Sequence, residues 1–217
     1  KPVEGWNPQK TDKPVVSKVQ HFRVADKDYI VFADRYRFYI LDRKGKERVR
    51  VSSVFDLKPH TDVYLTRKGG QPVLVFAGKG GQIHVVNFSG QTETSRVEGL
   101  SDRFEMNIVD WDGNGNGDVL FTDGNRVLVT RLDGTPLFEA KTLGFPYVYR
   151  FSAKDVRVGL TDPEQNQLFL LSADGKLSKG FPITGDSPFS IVFLENDGFF
   201  LFAGTGNNTI LKYKVQR

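Results

Sequence analysis

The chain has 217 residues, 39% of them hydrophobic and 12% aromatic, a balance that argues against disorder and allows a full core. Its formal charge of +4 hides an asymmetry: residues 1–100 carry 18 Lys and Arg against 11 Asp and Glu, net +7, while residues 101–217 carry 12 against 15, net −3. Cysteine is absent, which excludes disulfides and thiol chemistry, and no apolar run approaches the roughly 18 residues that a membrane helix needs.

Along the chain, a short apolar run ending in a small residue and a turn comes back five times, at 29–34, 73–78, 118–123, 156–162 and 199–204. With Ala33, Ala77, Thr122, Thr161 and Ala203 as equivalent points, the steps are 44, 45, 39 and 42 residues. A period of that size marks a repeat architecture. The repeats fall near 19–56, 62–100, 103–146, 147–188, and 189–217 together with 1–8.

Each repeat reads as four short strands. In the first, the turn Ala25-Asp26-Lys27-Asp28 joins two apolar-patterned stretches, and a second hairpin turns at Gly45. The same hairpin glycine follows at Gly90, Gly134 and Gly175, in steps of 45, 44 and 41. Glycine there supplies the positive φ that a tight hairpin requires. No segment holds a 3.6-residue period over a dozen residues. Four-stranded modules repeated at this spacing predict an all-β fold, a β-propeller of about five blades in one domain.

The joins between repeats also recur, as Gly144-Phe145-Pro146 and Gly180-Phe181-Pro182, with Gly5-Trp6-Asn7-Pro8 and Gly99-Leu100 as variants. Trp6, Phe145 and Phe181 are expected to be structural, packing between sheets. Residues 210–217 align with 168–175, and 1–6 with 176–181. The N-terminal segment is therefore expected to supply the outer strand of the last blade and close the ring. The first residue is Lys1, not Met. We read the chain as a mature or trimmed product whose targeting segment has been removed, and a longer parent cut at a repeat boundary would give the same phasing.

The third repeat carries the one motif with chemistry in it. Between its first two strands the turn expands to Asp110-Trp111-Asp112-Gly113-Asn114-Gly115-Asn116-Gly117-Asp118. Oxygen-bearing side chains occupy alternate positions, and glycines between them let the backbone curl so that the oxygens converge. Ca²⁺ takes six to eight oxygen ligands, and such a loop can supply them. Asp110, Asp112, Asn114 and Asp118 would ligate through their side chains and Asn116 through its carbonyl. Trp111 would point away into the core. The competing reading is an Asn/Asp/Gly-rich turn without metal.

On these residues the chain resembles the integrin-type FG-GAP/VCBS propeller repeats of integrin α chains and bacterial envelope proteins. In that family a D-x-D-x-[DN]-G-x-x-D loop between the first two strands of a blade binds Ca²⁺. Asp110, Asp112, Asn114, Gly115 and Asp118 match that pattern, and the Gly-Phe-Pro corners are similar to those of bacterial members. The resemblance implies one structural Ca²⁺ and a periplasmic or cell-surface location. The matching turns elsewhere, such as Arg67-Lys68-Gly69-Gly70 and Glu195-Asn196-Asp197-Gly198, are too short for the loop. A quinoprotein-type (PQQ-like) repeat is the near neighbour, but its recurrent tryptophan is missing, since only Trp6 and Trp111 occur.

Catalytic signatures are sparse. His21, His60 and His84 fit no compact metal or triad spacing, and the chain has neither a Gly-x-Ser-x-Gly elbow nor a phosphate loop. Candidates for the ring centre are His21, Arg23, Glu105 and Arg150, of mixed sign, whereas a glycosidase needs paired carboxylates. The leading expectation is a non-enzymatic, monomeric binding or scaffolding propeller with an unidentified protein or glycan partner. Alternatives are a glycan-acting enzyme with an axial site, or a polyanion binder using Arg35, Arg37, Arg43 and Lys44. Nucleic acid is the less expected partner.

Overall fold

The structure is a computed structural model that describes residues 4–6, 10–141, 146–152, 154–195 and 197–216. The fold is all-β, with five antiparallel sheets. The first runs in sequence order through β1 (Gln20–Val24), β2 (Lys27–Ala33), β3 (Phe38–Leu41) and β4 (Glu47–Val49). The second does the same through β5 (Val63–Lys68), β6 (Gln71–Ala77), β7 (Gln82–Asn87) and β8 (Thr92–Arg96). The third comprises β9 (Glu105–Val109), β10 (Asp118–Asp123), β11 (Arg126–Arg131) and β12 (Pro136–Lys141). In the fourth, β13 (Tyr147–Ser152), β14 (Asp155–Asp162) and β15 (Gln167–Ser172) end on a two-residue β16 (Ile183–Thr184). The fifth holds β17 (Phe189–Leu194), β18 (Gly198–Thr205) and β19 (Thr209–Val215). Among the described residues the one helical stretch is a 3-10 turn at Lys79–Gly81, and no helix is long and apolar enough to cross a membrane.

The hairpin between third and fourth strands is the same device four times. Gly45, Gly90, Gly134 and Gly175 all have φ between +74 and +86. Each donates its N–H three residues back, to the carbonyls of Asp42, Asn87, Arg131 and Ser172, at 2.8–3.0 Å. A side chain would strain this left-handed backbone, so the period in the sequence is a period of turn geometry.

The chain divides into two compact units. The first contains residues 1–108, 115–117 and 131–135, and the second 109–114, 118–130 and 136–217. In the first unit, sheets one and two share a core of Tyr29, Val31, Phe38 and Ile40 against Leu74, Phe76 and Val86. Phe38 and Phe76 stack at 4.4 Å between centroids, and Phe55 meets Phe76 edge-on at 5.2 Å. Full burial of each such ring contributes roughly 2–3 kcal/mol. In the second unit, Trp111, Val127, Val129 and Phe138 pack with Val156, Val158 and Leu160. A further core joins Phe151, Leu168 and Leu170 to Phe189, Leu201 and Ala203, with Phe181 partly buried against it.

Gly159, in the middle of β14, fits this last packing closely. A Cβ there would lie 2.4 Å from the Phe189 ring and 2.6 Å from the Tyr149 ring. The missing side chain is the hollow that Phe189 fills, and its ring stacks on Tyr149 at 5.4 Å.

The expected ring of five four-stranded blades is corrected by this topology. No sheet is closed, the fifth has three strands, and the N-terminal segment supplies no fourth strand among the described residues. The reason lies in the segment used as its template. Residues 176–181 are not a strand: Leu177 makes a single bridge to Leu171, and the chain then turns at Gly180 with φ +86. The fourth strand comes later, as β16. Glu4 and Gly5 likewise form a turn, with Gly5 at φ +81. The corner at Phe145 lies outside the described residues.

Candidate metal centre

The acidic loop leads from β9 into β10, where the first and second sheets make two-residue hairpin turns, at Ala25-Asp26 and Gly69-Gly70. Two features hold it. Trp111 is buried in the core, 5.0 Å from the Phe138 ring, and its Nε1 donates to the Ala173 carbonyl at 3.2 Å. As expected, it turns away from the ligand side. At the far end, Asp118 is 2% exposed, opens β10, and accepts the Trp111 backbone N–H at 2.9 Å.

These anchors bring three carboxylates together. One oxygen each from Asp110, Asp112 and Asp118 lies within 4.8 Å of the others, with Asp118 buried, Asp110 half-buried and Asp112 exposed. Gly113 and Gly115, at φ +71 and +82, carry the backbone around them. Asp112 also accepts the Asn114 N–H at 3.2 Å. The Asn116 side-chain oxygen accepts the Gly70 N–H at 3.1 Å. The donor set is all oxygen, which suits a hard divalent ion. Arg150, forty residues away on β13, was legible only as an axial candidate. Its guanidinium donates to the Asp110 carbonyl and stands 3.5 Å from the Asp110 carboxylate, relieving part of the repulsion.

The other sequence candidates do not converge. His21 pairs with Asp28 at 2.9 Å, and Arg23 faces Asp26 at 3.6 Å. Glu105 is exposed at the start of β9. His84 is buried on β7 with Nδ1 2.9 Å from Thr94 Oγ1, and burial holds its imidazole down at about 4. Three members of the basic group are taken up in ion pairs: Arg35 with Asp56, Arg37 with Asp12, and Arg43 with Asp28. Among the described residues, the three aspartates are the one group of three acidic, His or Cys side chains gathered closely enough for an ion.

No protein-family model matches the chain, and no curated protein sequence matches it. Solved structures do. A catalytically inactive variant of virginiamycin B lyase from Staphylococcus aureus, crystallised with quinupristin, matches with a TM-score of 0.52 at 14% identity, over 97% of this chain and 73% of that one. A protein of unknown function from Bacteroides caccae gives a TM-score of 0.44 at 13% identity, over 96% and 80%. BamB from Moraxella catarrhalis gives 0.44 at 16%, over 95% of this chain and 62% of its own length. This chain thus spans less than two thirds of BamB. What the likeness to the lyase shows is the fold alone. It is propeller-like.

Proposed function

We propose that the chain is a non-catalytic binding module whose 110–118 loop holds one Ca²⁺, and that it engages a protein or glycan partner at the cell envelope. The observation that carries the reading is the gathering of Asp110, Asp112 and Asp118 within 4.8 Å in a loop with buried anchors at both ends. Asp110, Asp112, Asp118 and Asn114 would hold the ion by side chain. The ion would supply charge compensation and rigidity rather than reaction chemistry. The non-catalytic part is supported by the ion pairs of His21, Arg23 and Arg150, which fall on three different aspartates, Asp28, Asp26 and Asp110, among the described residues. The FG-GAP/VCBS resemblance supports the location. Phe193, 60% exposed beside Val192 and Leu194 at the end of β17, offers apolar surface of the kind partners use.

Thermal unfolding with Ca²⁺ and with chelator tests the loop. At a hundredfold excess over its dissociation constant, an ion contributes about 2.7 kcal/mol, which for a chain of this size raises Tm by roughly 5–10 °C. Asp112→Ala should abolish the rise while leaving the chelated protein unchanged, because Asp112 is exposed. An identical Tm in Ca²⁺ and chelator would remove the metal from the proposal. Turnover of a glycan would remove the non-catalytic reading.

A further inference from the structure

We propose that the cleft beside the starts of β5 and β9 binds a small polyol carrying a phosphate or sulfate ester. This site lies within the first unit and does not rest on the reading of the acidic loop. Its volume of about 640 Å³ falls in the range of small-molecule sites. The walls are residues 58–62 on one side and 103–107 on the other.

Two cations, Lys58 and Arg103, line the cleft against two carboxylates, Asp62 and Glu105, with the His60 imidazole beside them. Asp62 is paired with Lys18, from outside the cleft lining, at 2.8 Å. Lys58 is steadied by a ring: its Nζ lies 4.0 Å from the centroid of Phe104, which is itself 1% exposed. Arg103 has no ion-pair partner among the described residues, although Glu105 is two positions away and Arg23, Arg37, Arg43, Arg126 and Arg157 all have one. An unpaired guanidinium facing a cleft is a ready bidentate donor for a tetrahedral oxyanion.

His60 adds an independent sign. It has φ +60, a left-handed backbone unusual for a non-glycine residue, and its N–H is held by the Val16 carbonyl at 3.0 Å. Held strain of this kind gathers at binding sites, where it aims a side chain. The polyol half of the ligand follows from the remaining wall. Lys58 covers Phe104, and Tyr64 is tied by its hydroxyl, which donates to the Met106 carbonyl at 2.7 Å. Glu105 offers acceptors for hydroxyl groups. A hydroxylated ligand finds partners here.

The test is calorimetric titration of the whole chain with glucose 6-phosphate, glucose 6-sulfate and unmodified glucose, repeated on Arg103→Gln. Arg103 is exposed, so the variant should keep its Tm and far-UV spectrum. Binding of at least one ester, no heat with glucose, and an affinity loss of about tenfold or more in Arg103→Gln support the site, and the better ester names the oxyanion. Silence from both esters, equal binding of glucose, or unchanged affinity in Arg103→Gln overturns it.

Discussion

The second and fifth sheets carry nearly the same central strand and put it to different use. In β6 the run Val73-Leu74-Val75-Phe76-Ala77 is buried on both faces. In β18 the run Phe199-Phe200-Leu201-Phe202-Ala203 is buried only at Leu201 and Ala203. Its other face keeps Phe200 and Phe202 half-exposed, with the Lys212 ammonium 4.2 Å from the centre of the Phe200 ring. Lysine there shields aromatic surface with its stem while keeping its charge in water. One motif therefore specifies a strand, and its neighbours decide how much of that strand stabilises the fold.

The widest separation between the two sheets should come from truncating the same position in each. Phe76→Ala empties a fully buried site touching Phe38, Phe55 and His84, and should cost about 3–5 kcal/mol. Phe202→Ala, half-exposed on its strand, should cost roughly 1 kcal/mol. Urea unfolding of both variants measures the gap, and equal losses would mean that the fifth sheet is covered in solution.

A second difference is titratable. His84 sits against Phe55 and Phe76, and its Nε2 is buried without a hydrogen-bond partner among the described residues. Burial lowers its pKa from 6.5 to about 4, so the folded state favours neutral imidazole. Above pH 6.5 this costs nothing. As pH falls from 6.5 towards 4 the unfolded chain takes up the proton first, and stability declines by roughly 3 kcal/mol at most. The pH profile of His84→Gln, subtracted from that of the parent, should isolate this decline; a flat difference between pH 7 and 4 would contradict it. The smallest effect belongs to the fifth sheet. Ile210→Ser, at a side chain 78% exposed, should change stability by no more than about 0.5 kcal/mol.

Much of this was legible beforehand for a physical reason. Turn glycines and alternating apolar residues are local signals, so the strands, the four hairpins at Gly45, Gly90, Gly134 and Gly175, and the curl of the acidic loop could be read in order. The inward turn of Trp111 followed from its place between two oxygen donors. Relations over distance were not legible. Arg150 reaches Asp110 across forty residues, and the cleft residues Lys58, His60 and Arg103 share no spacing. The closure of the fifth sheet by the N-terminal segment failed because the matched residues, 176–181, owe their similarity to a turn at Gly180.

The hollow at Gly159 has a consequence for the order of the repeats. Phe189 enters a space that exists only because position 159 has no side chain, and the equivalent strands offer Val31, Val75 and Leu120 in their interiors. Adjacent sheets are thus matched like a key and its own lock, and the fifth repeat is cut for the fourth. A chain with its repeats shuffled would keep every hairpin and lose this fit, so the sequence of modules is itself part of what is encoded.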